Sequence, residues 1–455
     1  MRDRLTEAIK KSPADYTEIR IERRQSTIVQ YRGKNMESAG SNTDVGGIAR
    51  CLVKNGGWGT STFNRMEDID KHVKYAFECA KSLSRDDIKL AEVQPVIDET
   101  TYSFDEDFRN ITLSQKKELL ASYNDILLSH SDSIRDTMCV YGDRFVDYYY
   151  ANSDGSYIHE ERPHILCRIS AIARKNGNVQ PAGESIGVQK GFEAVRGMED
   201  IAVKVAKRAE ELLSAETVKG GTYTVLCNPD LAGVFIHEAF GHLSEADHVH
   251  ENPKARELMV LGKEFGKPFL NVIDDGSVQG LRGSHKYDDE GVATRKNYLI
   301  KEGKLVGRLH SRETAQKMGE DLTGNARAIT YRFAPIVRMT NTAIEPGNAS
   351  FDDMISDIKL GVYACDSRGG QTMLENFTFT SGYAYMIRDG KIAEMVKDVV
   401  LGGNLFQTLQ NIDAVGNDFK WLETAGGCGK GGQMPLPVSM GSPHIRIQDV
   451  PMGGR

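Results

Sequence analysis

The sequence contains few cysteines, and the distances between them along the chain do not match a disulfide framework. Its 455 residues include seven cysteines, an odd number, and no two of them form a C-x-x-C pair. A secreted disulfide scaffold depends on paired cysteines, so this pattern suits free thiols in a reducing cytosol better than a disulfide framework. We therefore predict free thiols and a cytoplasmic protein.

Long apolar runs and an excess of positive charge are also absent. No stretch of 18 apolar residues occurs, which excludes a transmembrane helix, and residues 1–11 are too polar for a signal peptide. The 64 acidic residues outnumber the 57 lysines and arginines, so the net charge is −7. An acidic chain is a poor ligand for phosphate backbones. We expect no nucleic acid and no membrane among its partners.

The composition that remains is that of a soluble globular protein, with 40% hydrophobic and 27% charged residues. A chain of this length is expected to form about two to four domains. We predict an α+β fold. It would consist of antiparallel sheet units with packed helices at 1–95 and 96–218, followed by a mostly antiparallel β domain at 219–455.

Local periodicity predicts the main elements of the first two units. Residues 17–32 alternate between polar and apolar, which predicts strands, and Ser153-Asp154-Gly155 predicts a turn between two further strands. Asn64 is a candidate N-cap for the first of the helices. Apolar residues recur at helical spacing in three segments, near 67–82, 113–128 and 199–214.

The third unit contains two similar hairpin patterns. Residues 298–305 and 385–392 each show a strand, an acidic-Gly turn and a second strand, and we expect both hairpins in one sheet system. Near the start of this unit, residues 223–227 form a predicted buried strand. A helix should follow at once, because Asn228 suits the N-cap and Pro229 suits the first helical position.

The next turn of that helix carries the most informative motif, His237-Glu238-Ala239-Phe240-Gly241-His242. Its H-E-x-x-x-H spacing is one residue longer than the H-E-x-x-H of common zinc proteases. Five residues of an α-helix turn through about 500°, which places the two histidines on different faces. Both can reach one metal ion only if the helix widens, as in a π-bulge, or bends.

These residue types suit a hydrolytic zinc site. Neutral imidazoles bind zinc without cancelling its charge, and a neighbouring carboxylate can act as general base and acid. His237 and His242 are therefore candidate ligands, and Glu238 is the candidate catalytic residue. The alternative is two unrelated histidines in a core helix, with Glu238 in a salt bridge.

A catalytic zinc site usually has three protein ligands, and the third must come from elsewhere. The candidates are Glu245, His248, His250 and Cys428, and spacing alone does not choose among them. Cys428 lies in a glycine-rich segment where Lys430 could help to keep the thiol ionised. The alternative for that segment is a flexible loop with an incidental buried cysteine.

Several motifs together resemble those of the TldD/PmbA metallopeptidases, over essentially the whole chain. The helical motif with Glu245 three residues on matches the TldD-like, metal-bearing branch. The other matching motifs are Tyr287-Asp-Asp-Glu-Gly291, Thr323-Gly-Asn-Ala-Arg327, Pro335-Ile-Val-Arg-Met-Thr-Asn-Thr342 and Gly427-Cys-Gly-Lys-Gly-Gly-Gln433.

This resemblance implies zinc (Zn²⁺) held by His237, His242 and Cys428 on and beside a metal-binding helix, with Glu238 as general base. It also implies cleavage of unfolded or small peptides, bound as an added strand at a sheet edge. The expected partner is a second copy or a TldE/PmbA-like subunit. Two alternatives stay open: a non-catalytic or regulatory peptide-binding subunit with a structural zinc, and a zinc hydrolase of a non-peptide amide.

Overall fold

The computed structural model describes residues 1–83, 88–373 and 375–453. Within these ranges, none of the helices is long and apolar enough to cross a membrane. The described helices are α1 (Arg2–Lys10), α2 (Ile69–Lys81), α3 (Leu113–Ser129), α4 (Glu199–Ser214), α5 (Pro229–Ile236), α6 (Ala246–Glu251), α7 (Pro253–Leu258), α8 (Arg312–Met318), α9 (Phe351–Ser356) and α10 (Leu405–Gln410).

One large sheet contains the strands of the first half of the chain, from both of the first two predicted units. Its order is β3-β2-β1-β5-β6-β4, with β7 beside β6, and every neighbouring pair is antiparallel except β4 and β6. The strands are β1 (Tyr16–Arg32), β2 (Asn35–Val53), β3 (Gly57–Phe63), β4 (Ile97–Thr100), β5 (Ile134–Asn152), β6 (Tyr157–Lys175) and β7 (Asn178–Val188).

The three helices predicted in this half all form, and so does the turn at 153–155 between β5 and β6. The Asn64 prediction is wrong. A 3₁₀ turn at Met66–Asp68 precedes α2, and the Asn64 amide instead donates to the carbonyl of Val45 at 2.9 Å. A capping side chain must lie next to the first helical turn, and here the extra turn separates them.

The two faces of this sheet differ in chemistry. Apolar odd-numbered residues such as Ile19, Tyr141 and Cys167 form buried clusters beneath the helices α1–α4. The even-numbered face is polar and meets the second half of the chain. On it, the Arg20 side chain donates to the carbonyl oxygens of Thr330 and Phe333. Because side chains alternate along a strand, one set of strands supplies both the core and this polar interface.

The second half of the chain contains the remaining strands. A six-stranded sheet has the order β12-β11-β10-β15-β24-β21, and an eight-stranded sheet has the order β16-β9-β25-β19-β17-β18-β8 with β20 beside β25. Two small pairs, β13-β14 and β22-β23, lie apart. The strands are β8 (Glu216–Thr217), β9 (Gly221–Cys227), β10 (Val272–Asp275), β11 (Lys296–Lys301), β12 (Lys304–Leu305), β13 (Ala326–Arg327), β14 (Ile336–Val337), β15 (Asn341–Ile344), β16 (Leu360–Met373), β17 (Asn376–Arg388), β18 (Lys391–Lys397), β19 (Val400–Asn404), β20 (Ile412–Val415), β21 (Lys420–Leu422), β22 (Gly427–Lys430), β23 (Gln433–Pro437), β24 (Ser439–Ser442) and β25 (Ile445–Gly453).

Antiparallel sheets with packed helices confirm the α+β prediction. Both predicted hairpins form, and their turn residues Glu302-Gly303 and Asp389-Gly390 all have positive φ, as a two-residue hairpin turn requires. Their expected place in one sheet system is wrong, because β11-β12 belongs to the six-stranded sheet and β17-β18 to the eight-stranded one. A turn sequence determines the hairpin, whereas the sheet it joins depends on distant strands.

Candidate metal centre

The helix that carries the motif begins as its sequence predicts. The Asn228 side chain accepts a hydrogen bond from the Leu231 amide at 2.9 Å, and Pro229 occupies the first turn of α5. Phe235 and Ile236 are buried in the core between the two sheets of this half. The strand β9 and this packed helix give the following turn a rigid support, which metal ligands need.

The turn after α5, His237–Gly241, is a π-helical turn. The extra residue in the motif is therefore absorbed by a widened helix, as the spacing required. The ring centroids of His237 and His242 lie 5.4 Å apart. Gly241 has ordinary helical backbone angles, so it is not needed for the backbone conformation. Glycine is needed there for packing, because a Cβ atom would overlap the sulfur of Met339.

Cys428 joins the two histidines. One ligand atom from each of His237, His242 and Cys428 lies within 4.8 Å of the other two. The Cys428 Sγ is 3.2 Å from His242 Nε2. Among the described residues, this group contains neither His248 nor His250, the other two histidines considered from sequence.

The chemistry of these three side chains fits a soft divalent cation. His237 is completely buried, yet neither of its ring nitrogens has a hydrogen-bond partner in the described structure. A buried polar atom without a partner costs about 1–3 kcal/mol, so an isolated imidazole would be a poor choice for this position. Two imidazoles with one thiol are ligands that zinc prefers.

Electrostatics favour the ionised thiol. Burial raises the pKa of Cys428, but the adjacent imidazoles of His237 and His242 outweigh it and lower the pKa to about 4. The role expected for Lys430 is wrong, because its ammonium group contacts Asp247 at 2.6 Å and Glu245 at 3.1 Å instead. The ammonium group of Lys430 pairs with the nearest carboxylates, and these belong to the segment that directly follows the helical motif.

Glu245, a third-ligand candidate from sequence, holds His242 in place. Its Oε2 lies 3.1 Å from His242 Nδ1, which leaves Nε2 directed towards Cys428. Burial raises the pKa of Glu245, but His242 and Lys430 reverse this and keep it below its usual value. Burial also lowers the pKa of His242, but Cys428 and Glu245 raise it to about 10.

Glu238 lies beside the cluster without joining it. Its Oε2 is 3.9 Å from His242 Nε2, and the side chain is 30% exposed. It is therefore partly open to solvent. A carboxylate next to a ligand, but outside the ligand group, is placed for proton transfer.

Buried arginines hold the hairpin of Cys428, and sequence reasoning missed this role. Arg282 donates to the carbonyl of Gly426 at 2.6 Å, Arg327 to that of Pro437 at 2.8 Å and Arg338 to that of Gln433 at 3.1 Å. Two of them lie within the recognised motifs, but nothing in the local pattern indicates that they bind this main chain.

The segment before Cys428 is fixed by the large sheet of the first half. Ser185 in β7 accepts a hydrogen bond from the Ala425 amide, and Arg168 in β6 donates to the Ala425 carbonyl. The Gly187 amide donates to the Glu423 carbonyl at 2.8 Å. The position of the thiol thus depends on both halves of the chain.

The site consists of a widened helical turn, which bears two histidines and a glutamate, and a buried cysteine beside them. These residues are typical of a metal-dependent hydrolase, which is the class of protein that they indicate. The chain matches all three PmbA/TldA metallopeptidase domains: domain 1 at residues 17–84, the central domain at 106–213 and the C-terminal domain at 220–454. It therefore belongs to the PmbA/TldD family, and the resemblance seen in the sequence is confirmed.

Two curated relatives carry names that fit this family. A metalloprotease of Synechocystis is 43% identical over 97% of this chain and 96% of its own length. A zinc metalloprotease TldD homolog of Saccharolobus solfataricus is 33% identical over 69% of this chain and 70% of its own length. These names support a metallopeptidase. The crystal structure of TldE from Thermococcus kodakarensis shares the fold, with a TM-score of 0.79, 17% identity and full coverage of both chains.

Proposed function

We propose that this protein is a zinc-dependent peptidase in which His237, His242 and Cys428 hold the metal and Glu238 is the general base. The observation that carries the proposal is the cluster of His237, His242 and Cys428, in which one ligand atom of each lies within 4.8 Å of the others and the ring nitrogens of the buried His237 have no partner at hydrogen-bond distance. A relative named as a zinc metalloprotease supports zinc as the ion.

Zinc in such a site would polarise the scissile carbonyl and lower the pKa of a water molecule to about 7. The protein's own residues supply the rest. Glu238 takes the proton from the attacking water and returns it to the departing amine. Glu245 keeps His242 in the orientation in which Nε2 faces the thiol.

The substrate we propose is an unfolded or small peptide. An open groove of about 590 Å³ is lined by Gly426 and Gly427, which directly precede Cys428 in the chain, and by Ser367 at the bulge of β16. Glycines have no side chain that would block an approaching main chain, so an extended peptide can lie along this groove as an added strand. Such binding depends on hydrogen bonds to the peptide main chain more than on contacts with its side chains, which suits substrates of varied sequence.

The active form we propose is a cytoplasmic dimer, with a second copy or with a TldE/PmbA-like subunit. The fold shared with TldE supports a partner of that type. The described cysteines are all free thiols, as a reducing compartment permits. Light scattering of the purified chain, alone and mixed with such a subunit, measures the assembly directly.

The test of the catalytic role separates metal binding from cleavage. Glu238→Ala should retain one zinc per chain by elemental mass spectrometry and lose cleavage of an unstructured peptide. Glu251→Ala, which removes an exposed carboxylate from the nearby α6, is the matched control and should retain both. A Glu238→Ala protein that still cleaves normally would refute the role of the base. Cleavage of small amides but not of peptides would reassign the substrate.

A further inference from the structure

A second polar cavity, of about 60 Å³, lies between the polar face of the large sheet and the second half of the chain. The strand register brings its walls together, since Arg144 in β5 lies opposite His164 in β6, and Tyr148 opposite Glu22 in β1. Five arginines line the cavity but only two carboxylates, those of Glu22 and Asp289.

Both carboxylates already have arginine partners. Asp289 lies 3.0 Å from Arg162 and 3.4 Å from Arg20, and Glu22 lies 3.8 Å from Arg20 and 3.7 Å from Arg24. The three remaining arginines of the lining form no ion pair with any carboxylate of the described residues: Arg144, Arg282 and Arg327. Buried charges are normally paired, and here five arginines face two carboxylates, so the lining has an excess of positive charge.

Unpaired polar atoms converge on the same space. Tyr148 is 1% exposed and Arg282 is 8% exposed, so neither can turn to solvent. The buried atoms of the lining without a hydrogen-bond partner in the described structure are Arg144 Nε, Arg282 Nε, Tyr148 Oη, His164 Nδ1 and His285 Nε2. Arg144 Nε and Arg282 Nε are donors, and an oxyanion with two or more acceptor oxygens can satisfy both of them.

The arginines also repel one another. Burial and the charges of neighbouring arginines lower the pKa of Arg144 to about 9. The pKa values of Arg282 and Arg327 fall to about 10 for the same reasons. The pKa of His164 lies well below its usual value, again through burial and nearby arginines, so this ring is neutral. An anion in the cavity would relieve this repulsion.

We propose that this cavity binds a small oxyanion, a carboxylate or phosphate group, through Arg144, Arg282 and Tyr148. A guanidinium presents parallel N–H groups that match the two oxygens of such a group. The volume suffices, since one water needs about 10–15 Å³ by the same measure. The cavity adjoins the metal centre, because Leu436 lines it and is the register partner of Cys428. The anion is either free phosphate or the terminal carboxylate of a peptide.

The test compares thermal unfolding of the protein with that of Arg144→Met at low ionic strength, as phosphate or acetate is titrated. The Nε of the Arg144 side chain has no hydrogen-bond partner in the described structure, so its replacement leaves no partner of that atom stranded. We expect a saturable rise in Tm of about 2–4 °C in the native protein and none in the variant. Arg196→Met is the control, since Arg196 is an exposed partner of Glu106 outside the cavity, and it should respond as the native protein does. General salt effects rise without saturation in all three proteins.

A second arm identifies the source of the anion. In the Glu238→Ala background, a short peptide with a free C-terminus is compared with the same peptide amidated. A shift only with the free carboxylate assigns the cavity to peptide ends, and a shift with inorganic phosphate alone assigns it to phosphate. No saturable shift with any anion, or an equal shift in Arg144→Met, would overturn the proposal. If Arg144→Met does not fold, Tyr148→Phe, which removes an unpaired hydroxyl, takes its place.

Discussion

Replacing Glu245 tests whether the hydrogen bond to His242 organises the metal centre. Glu245 is 1% exposed, and its Oε2 contacts both His242 Nδ1 and Lys430 Nζ at 3.1 Å. Glu245→Ala frees the imidazole to rotate and to exchange tautomers. Loss of a carboxylate behind a metal-binding histidine typically weakens metal affinity by about 10–100-fold, or about 1.4–2.7 kcal/mol.

The assay is a competition titration of zinc against a chromogenic chelator, at fixed pH. Glu245→Gln is the graded control, because its amide oxygen can still accept from His242 Nδ1 and should preserve much of the affinity. Asp247→Ala removes the other carboxylate partner of Lys430 and leaves the bond from Glu245 to His242 intact. Native affinity in Glu245→Ala would refute this account of the site.

Three further predictions concern the same helix and hairpin. His237→Ala, His242→Ala or Cys428→Ala should each lose zinc, and full zinc content in any of them, by elemental mass spectrometry, would remove that residue from the ligand set. Gly241→Ala should lower the free energy of unfolding by about 1–3 kcal/mol through overlap with Met339, measured in urea, and Met339→Ala should relieve part of that loss. His242 has a raised pKa of about 10, so it holds its proton below that pH in the metal-free protein, and zinc affinity should rise with pH up to about 10. Calorimetry in buffers of different ionisation enthalpy should detect the released proton, and zinc binding without proton release would contradict the prediction.

Local chemistry made the helix of the metal centre predictable. Asn228 and Pro229 mark its start, and the widened turn that the structure contains is one of the two distortions that the five-residue step from His237 to His242 allows for a shared metal ion. The helices near 67–82, 113–128 and 199–214 were predictable for the same reason, because periodic apolar residues need only their own segment to be recognised.

Contacts between distant segments were not predictable from pattern. Cys428 lies 186 residues after His242, so spacing alone left four candidates for the third ligand, and only the family resemblance selected it. The sequence suggests that Lys430 could help to ionise the thiol, because no pattern shows that Asp247, remote in sequence, is adjacent to this lysine in space. The three cavity arginines without a carboxylate partner come from β5, a loop and β13, and no local pattern connects them.

The separation of Cys428 from the histidines also has a consequence during synthesis. At about 5–20 residues per second, the ribosome would need about 10–40 s to extend the chain from His242 to Cys428. Until then the growing chain carries two histidines and a base but lacks the thiol. Because the thiol-bearing hairpin also rests on the large sheet, the centre is completed only after both halves have folded together. If the protein is the peptidase proposed above, an unfinished chain lacks one of its three metal ligands and would not cleave unfolded peptides around it.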